Sequence, residues 1–238
     1  LGHEASEAFG QTALITRDVQ TDTKVLQLDG AAEFTSEQGK VTARRLIATD
    51  SRLNGDVLVG EGDVQGSADG NVFKAGKARW DRTRQELLLE GRPRLLEPRG
   101  FEIAGATIRS ELRLQKVTVT SSPEDRATVK LPSEDVDGPI GLAQADRLFL
   151  SNEAGAAEVD LEGNVLYNAG DVRTESQRMV AYAMTKLVKG KPTTLVLQKV
   201  FLTGAVRYGQ PGLRCSAERI DYVPAVQIEE ILKKDNLQ

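Results

Sequence analysis

Along most of the chain, apolar and polar residues alternate with a period of two. In the segment 159–167, apolar or small residues fall at Val159, Leu161, Gly163, Val165 and Tyr167. In the segment 201–208 they fall at Leu202, Gly204, Val206 and Tyr208, and the segment 26–34 repeats the theme from Leu26 through Leu28 to Phe34. A period of two places alternate side chains on one face of a β-strand. Helical periodicity is confined to 226–237, which reads as a short C-terminal helix. The stretch 179–188 is apolar enough to be ambiguous, but its neighbours read as strands. The pattern predicts an all-β chain.

The strands repeat. One half of each unit carries Leu-x-Gly-x-(small or Val), as in Leu28-Asp-Gly30-Ala-Ala32, Leu89-Glu-Gly91-Arg-Pro93, Leu161-Glu-Gly163-Asn-Val165 and Leu202-Thr-Gly204-Ala-Val206. A fifth copy begins with glycine, Gly60-Glu-Gly62-Asp-Val64, and a degenerate one has Lys116 in the glycine position. The other half starts apolar and carries basic residues, as in the stretches from Val41, Val72, Phe101, Ile140, Val172 and Leu213. Turn-like stretches at 36–39, 68–70 and 168–170 separate the halves. The chain therefore reads as about six hairpins of roughly thirty residues each. A lone hairpin is marginal in water, so the hairpins must stack into a long folded sheet, a roll or a solenoid. Glycine inside a strand weakens it, and its recurrence here implies a sharp bend or a close backbone approach.

Residues 121–139 break the rhythm with Pro123, Pro132, Pro139 and several charges, and read as an inserted loop or linker. The expected organisation is one elongated unit over 1–224 with this insertion, or two halves, 1–120 and 140–224. A tail or short helix follows at 225–238.

Composition narrows the function. The chain has 238 residues, 31 Lys+Arg against 35 Asp+Glu, one His and one Cys. One cysteine forms no intramolecular disulfide and no Cys-based zinc site. One histidine, His3 at the extreme N-terminus, leaves almost no material for a Ser-His-Asp triad or a His-rich metal site. A net charge of −4 is a poor match to a phosphate-tracking nucleic-acid binder, so no nucleic-acid partner is expected. There is no apolar run of transmembrane length. The chain starts at Leu1, not Met, and reads as processed or truncated, with a signal peptide or an N-terminal anchor cut away.

The candidate chemical motifs are weak. The segment 70–78 resembles a P-loop, but Ala78 stands where a Ser or Thr should hold Mg²⁺. Asp135-Val-Asp137-Gly138 has no glutamate at EF-hand spacing. Asp160 and Glu162 share an outward strand face and read as solvated charges, with a glycosidase-type pair as the sharper alternative. Cys215 reads as a small buried hydrophobe, and His3 as a disordered terminal residue. Arg44, Arg45, Lys77, Arg79, Arg147, Arg178 and Arg219 recur at similar strand positions. They read as charges guarding edge strands or, more sharply, as a basic rim for phosphorylated headgroups. No cofactor, metal or catalytic residue is assigned. The apolar face reads either as a solid core or as a groove for acyl chains, because its residues are small and few are aromatic.

The Leu-x-Gly-x-Val strand, followed by a turn and a strand with Ala/Ser-Asp/Glu-Arg-hydrophobic-x-Tyr, resembles the OstA/LptA family of lipopolysaccharide transport proteins. The likeness is clearest over 140–223, in Ala145-Asp-Arg147-Leu148, the repeats centred on Gly163 and Gly204, and Cys215-Ser-Ala-Glu-Arg219-Ile-Asp-Tyr222. Residues 41–110 carry a looser version. The chain departs from the family in its length and in the interruption at 121–139. The resemblance implies an elongated antiparallel β-jellyroll whose apolar interior shields lipid acyl chains in the periplasm of a Gram-negative cell. It also implies end-to-end joining to LptC- or LptD-like partners, or to further copies, through edge strands. The residues expected to line the lipid path are Leu28, Phe34, Leu89, Leu161, Val165, Tyr167, Leu202, Val206 and Tyr208. A solid-core β-solenoid scaffold or adhesin, and a carbohydrate-active β-helix, are the competing readings.

Overall fold

The alternating segments are strands in the computed structural model, which describes residues 6–37, 39–51, 55–68, 70–98, 100–111, 115–132, 139–153, 156–186 and 194–223. The chain divides into two compact units, Leu1–Pro98 with Glu102–Asp125, and Arg99–Phe101 with Arg126–Gln238. The described residues of both are all-β, and the strand pairs within each unit are antiparallel. The expected all-β jellyroll-type fold is therefore present. The helix read over 226–237 and His3 lie outside the described residues.

The first unit contains β1 (Glu7–Phe9), β2 (Thr12–Asp18), β3 (Thr23–Ser36), β4 (Gly39–Ser51), β5 (Gly55–Ala68) and β6 (Asn71–Asp81). It continues with β7 (Glu86–Glu90), β8 (Arg94–Leu96), β9 (Glu102–Ala104), β10 (Thr107–Glu111) and β11 (Lys116–Thr120). The second contains β12 (Ala127–Leu131), β13 (Gly141–Ala145), β14 (Arg147–Glu153), β15 (Ala156–Ala169), β16 (Val172–Lys186), β17 (Thr194–Gln210) and β18 (Leu213–Tyr222).

The long strands fold over on themselves, and the repeated glycine marks the fold. Gly30, Gly62, Gly91, Gly163 and Gly204 all have φ of 77–79°, and each is followed by a second left-handed residue: Ala31, Asp63, Arg92, Asn164 and Ala205. Two consecutive left-handed residues turn the strand through a corner. The ladder skips both of them, so pairing runs from Glu162↔Arg178 directly to Val165↔Ser176. The same shift occurs between Asp29 and Ala32, Glu61 and Val64, and Thr203 and Val206. Because the corner uses two residues, the alternation keeps its parity across it. Leu161 and Val165 both face inward, as do Leu28 and Ala32, and Leu202 and Val206.

The single residue opposite each corner covers the glycine. A Cβ on Gly163 would lie 2.5 Å from Oδ2 of Asp146. That carboxylate also accepts from the Asn164 side chain at 2.8 Å and from Arg126 at 3.3 Å, while the Arg126 guanidinium donates to the Asn164 carbonyl at 2.7 Å. The Asp146 backbone N–H points at the carbonyls of Glu162 and Gly163. The recurring glycine thus serves both as a bend and as a point of close approach.

Each unit has two limbs that meet at its corners. In the second unit, one limb holds β14, the start of β15, the end of β16 and the start of β17, closing on the end of β18. The other holds β12, β13, the end of β15, the start of β16 and the end of β17, closing on the start of β18. Leu148, Leu161 and Met179 of the first limb and Ala127, Val129, Ala143 and Val165 of the second are at most 1% exposed.

Two sequence expectations need correction. Residues 121–139 are not one loop, because Ala127–Leu131 forms β12 and pairs along its length with β13. Its alternation puts Ala127, Val129 and Leu131 inward, and the prolines at 123 and 132 lie outside the paired residues, where a missing N–H costs no ladder bond. The basic residues do not form a rim of one sign. A row on the outside of the first unit runs Asp29–Arg45–Glu61–Lys77–Glu90 across five strands, with Arg45 2.6 Å from Asp29 and Lys77 3.1 Å from Glu61. In the second unit Arg178 meets Asp160 at 2.6 Å and Arg219 meets Asp221 at 2.6 Å. Apart from Arg219 and Asp221, which are two residues apart on β18, these opposite charges meet across neighbouring strands, which is favourable, whereas a ladder of one sign would repel itself.

Candidate functional site

In the second unit the roll opens at β18, which among the described residues pairs within the unit only with β17. Every residue of β18 except Ile220 is exposed, and Ile220 is only half buried. Yet Ala217 and Ile220 continue the inner face of the limbs, opposite Val206 and Leu202. Beside this last described strand of the unit, the inner faces of the two limbs bound an open cleft of about 400 Å³.

The two walls differ. Leu197, Val200 and Leu202 of β17, with Ile220 and Tyr222 of β18, form an apolar wall. The facing wall carries Tyr167, Thr174, Tyr208 and Gln210 among smaller apolar residues. Tyr167, Thr174 and Tyr208 stand in adjacent ladder positions, because Thr174 is paired with Tyr167 on one side and Tyr208 on the other. Room for the Tyr167 ring comes from Gly141, over which the ring lies. The Tyr208 hydroxyl donates to Oε1 of Gln210 at 2.7 Å. The Thr174 hydroxyl oxygen is buried and has no hydrogen-bond partner among the described residues. No charged side chain lines the cleft among the described residues.

The nine residues read from the sequence as a lipid path fall into two groups. Leu28, Leu89, Leu161, Val165, Leu202 and Val206 are at most 4% exposed, and Phe34, Tyr167 and Tyr208 are half buried. Leu28, Phe34 and Leu89 belong to the first unit and the others to the second. The cleft brings together only Tyr167, Leu202 and Tyr208 of the set. Leu161, Val165 and Val206 are packed core and do not touch it. The sequence reading missed Thr174, Gln210, Val200, Ile220 and Tyr222. The Leu213–Tyr222 repeat copy carries Ile220 and Tyr222, but nothing in it marks β18 as a strand with one open side.

The same openness overturns the reading of Cys215 as buried, since its thiol is exposed on β18. Asp160 and Glu162 are rungs of the charge ladder. Asp160 holds Arg178 in a two-point ion pair at 2.9 and 2.6 Å, and that hydrogen bond raises the pKa of the guanidinium above its ordinary value. Among the described residues, no group of three or more His, Cys, Asp and Glu side chains is placed to hold a metal. The segment 135–138 lies outside the described residues.

The first unit has an open strand as well. β2 is exposed at every residue and carries Leu14 at 58% and Ile15 at 75% exposure. It pairs within its unit only with β3, among the described residues. Compared with known proteins, the chain matches no family model and no curated protein.

Proposed function

We propose that this protein is a non-enzymatic carrier of lipopolysaccharide or a related lipid in the periplasm of a Gram-negative envelope. An acyl chain enters the apolar cleft while the headgroup stays in water at the rim. Edge-strand pairing with LptC- or LptD-like partners, or with further copies, bridges inner- and outer-membrane components. The observation that carries this reading is the open cleft beside β18, whose volume of about 400 Å³ lies within the usual range of small-molecule sites, about 300–1,000 Å³. A volume at the low end of that range accommodates one chain rather than several. Each methylene moved from water onto its apolar wall contributes about 0.8 kcal/mol, so one chain suffices for useful affinity. Strands β2 and β18, each paired on one side only within its unit among the described residues, support the assembly part of the reading, since an open edge is a template for another strand.

A second reading, a scaffold with a solid core, draws on the packing elsewhere. Leu89, Ile103, Val119, Val129 and Leu161 have no solvent exposure, so the interior at these positions is filled. Native mass spectrometry with added lipopolysaccharide separates the two readings. The carrier binds saturably, and Ile220→Asp, a change at a half-exposed position of the cleft, abolishes binding while the circular dichroism spectrum is unchanged. A folded wild-type protein that binds no lipid leaves the scaffold.

A further inference from the structure

We propose that the cleft beside β18 selects a neutral amphiphile, an acyl chain whose first polar group is an uncharged hydrogen-bonding ester, amide or hydroxyl, and that Thr174 is its anchor. The proposal rests on the reading of this cleft as a lipid site and specifies its ligand.

Three observations carry it. The first is the asymmetry of the walls. An all-apolar cleft would accept a bare hydrocarbon, but here one wall is apolar and the facing wall presents the row Tyr167–Thr174–Tyr208 with Gln210 beyond it. Three of the four tyrosines of the chain, Tyr167, Tyr208 and Tyr222, line this one cleft.

The second is Thr174 itself. It points to the inner face of β16, where the alternation of a filled core calls for an apolar side chain. It is 3% exposed, and its hydroxyl oxygen has no hydrogen-bond partner among the described residues. A buried hydroxyl left unpaired is destabilising. Valine would fill nearly the same volume without that cost, so the hydroxyl is better explained by a partner that arrives with the ligand. The neighbouring Tyr208 is half buried and lines the same cleft, so a chain that reaches the Thr174 hydroxyl passes beside its ring.

The third is charge. With no cationic side chain on the lining among the described residues, a carboxylate or phosphate drawn inside would lose its hydration with nothing to replace it. Anionic groups therefore stay at the mouth, and the group that reaches Thr174 is uncharged.

The test uses the full chain and two soluble probes with the same acyl tail, monolauroyl glycerol and laurate, each below its micelle concentration at pH 8. Calorimetry gives the affinities for wild type, Thr174→Val and Thr174→Ser. The wild type is expected to prefer the glycerol ester. Thr174→Val should weaken ester binding about five- to tenfold, the worth of one hydrogen bond between neutral groups, without loss of thermal stability. Thr174→Ser should retain most of the affinity, and laurate binding should be nearly the same in all three proteins. Equal ester affinity in wild type and Thr174→Val overturns the anchor while leaving the cleft a lipid site. Tighter binding of laurate than of the ester overturns the selection for a neutral group. Failure of the folded wild type to bind either probe overturns the lipid site and the anchor together.

Discussion

The ring of Tyr167 lies over Gly141, so closely that a Cβ at position 141 would come within 2.4 Å of its Cε2 atom. The two residues sit on neighbouring strands, where Leu142↔Asn168 and Ala143↔Tyr167 are partners. Gly141 is buried on the inner face of β13, and its lack of a side chain lets an aromatic ring lie at the edge of the cleft. Gly141→Ala is therefore expected to displace the Tyr167 ring towards the cleft and weaken ligand binding severalfold at nearly unchanged stability. Tyrosine near-UV circular dichroism and lipid titration check both halves of that expectation.

The corners give a stability prediction with an internal control. Gly163 and Gly212 have almost the same backbone, φ 78° and 79°, but nothing lies within 4 Å of a Cβ at 212, whereas Asp146 fills that space at 163. Gly212→Ala should cost only the left-handed backbone term, about 1 kcal/mol. Gly163→Ala should also push the exposed Asp146 carboxylate from its bonds to Asn164 and Arg126, adding about 0.5–1 kcal/mol. Urea unfolding of the two variants measures the difference. Equal midpoints would mean that Asp146 does not brace the corner.

The outer ladder gives a pH prediction. The Arg45 guanidinium bonded to Asp29, with Gln27 donating to the same carboxylate, lowers the Asp29 pKa below its ordinary value. A carboxyl whose folded pKa is depressed stabilises the fold above its unfolded pKa, about 3.9, and loses that contribution as pH falls through the folded value. Carbon-detected NMR titration should show Asp29 with a midpoint below that of an ordinary aspartate, and Arg45→Gln should return it towards the ordinary value. Because both side chains are well exposed to solvent, the accompanying change in stability should be small and should shrink further with salt.

Ile15 of β2 lies on the inner face, opposite Leu26, and is 75% exposed. Charged residues on edge strands suppress pairing with other chains, so Ile15→Lys should reduce concentration-dependent self-association in sedimentation velocity without unfolding the protein. Association that is unchanged would place the contact elsewhere.

Much of this molecule is legible from alternation alone. The strands of the Leu-x-Gly-x-Val repeat, the hairpin turns near Gly70 and Gly170, and the inward set Leu28, Leu161, Val165, Leu202 and Val206 follow from a period of two, which the two-residue corners preserve. Other features are not local. β12 was hidden because Pro123 and Pro132 stand close to a five-residue strand, and composition over the whole segment outweighed the short Ala-x-Val-x-Leu pattern. The cleft was hidden because the same alternation describes a strand with two neighbours and a strand with one. Ile220 and Leu161 look alike in sequence, yet Leu161 lies between β14 and β16 while Ile220 has a partner only in β17 within its unit, among the described residues. Thr174 breaks the apolar pattern, a departure that acquires meaning only when its neighbours Tyr167 and Tyr208 are placed beside it.

Occupation of the cleft beside β18 by a lipid chain, as proposed above, is directly observable. Intermolecular nuclear Overhauser effects from a protonated acyl chain to methyl-labelled, otherwise deuterated protein locate the chain directly. The expected result is a set of cross-peaks to the methyl groups of Leu197, Val200, Leu202 and Ile220, with none to Leu28 or Leu89 in the first unit. Cross-peaks confined to the first unit, or none at saturating lipid, would contradict it.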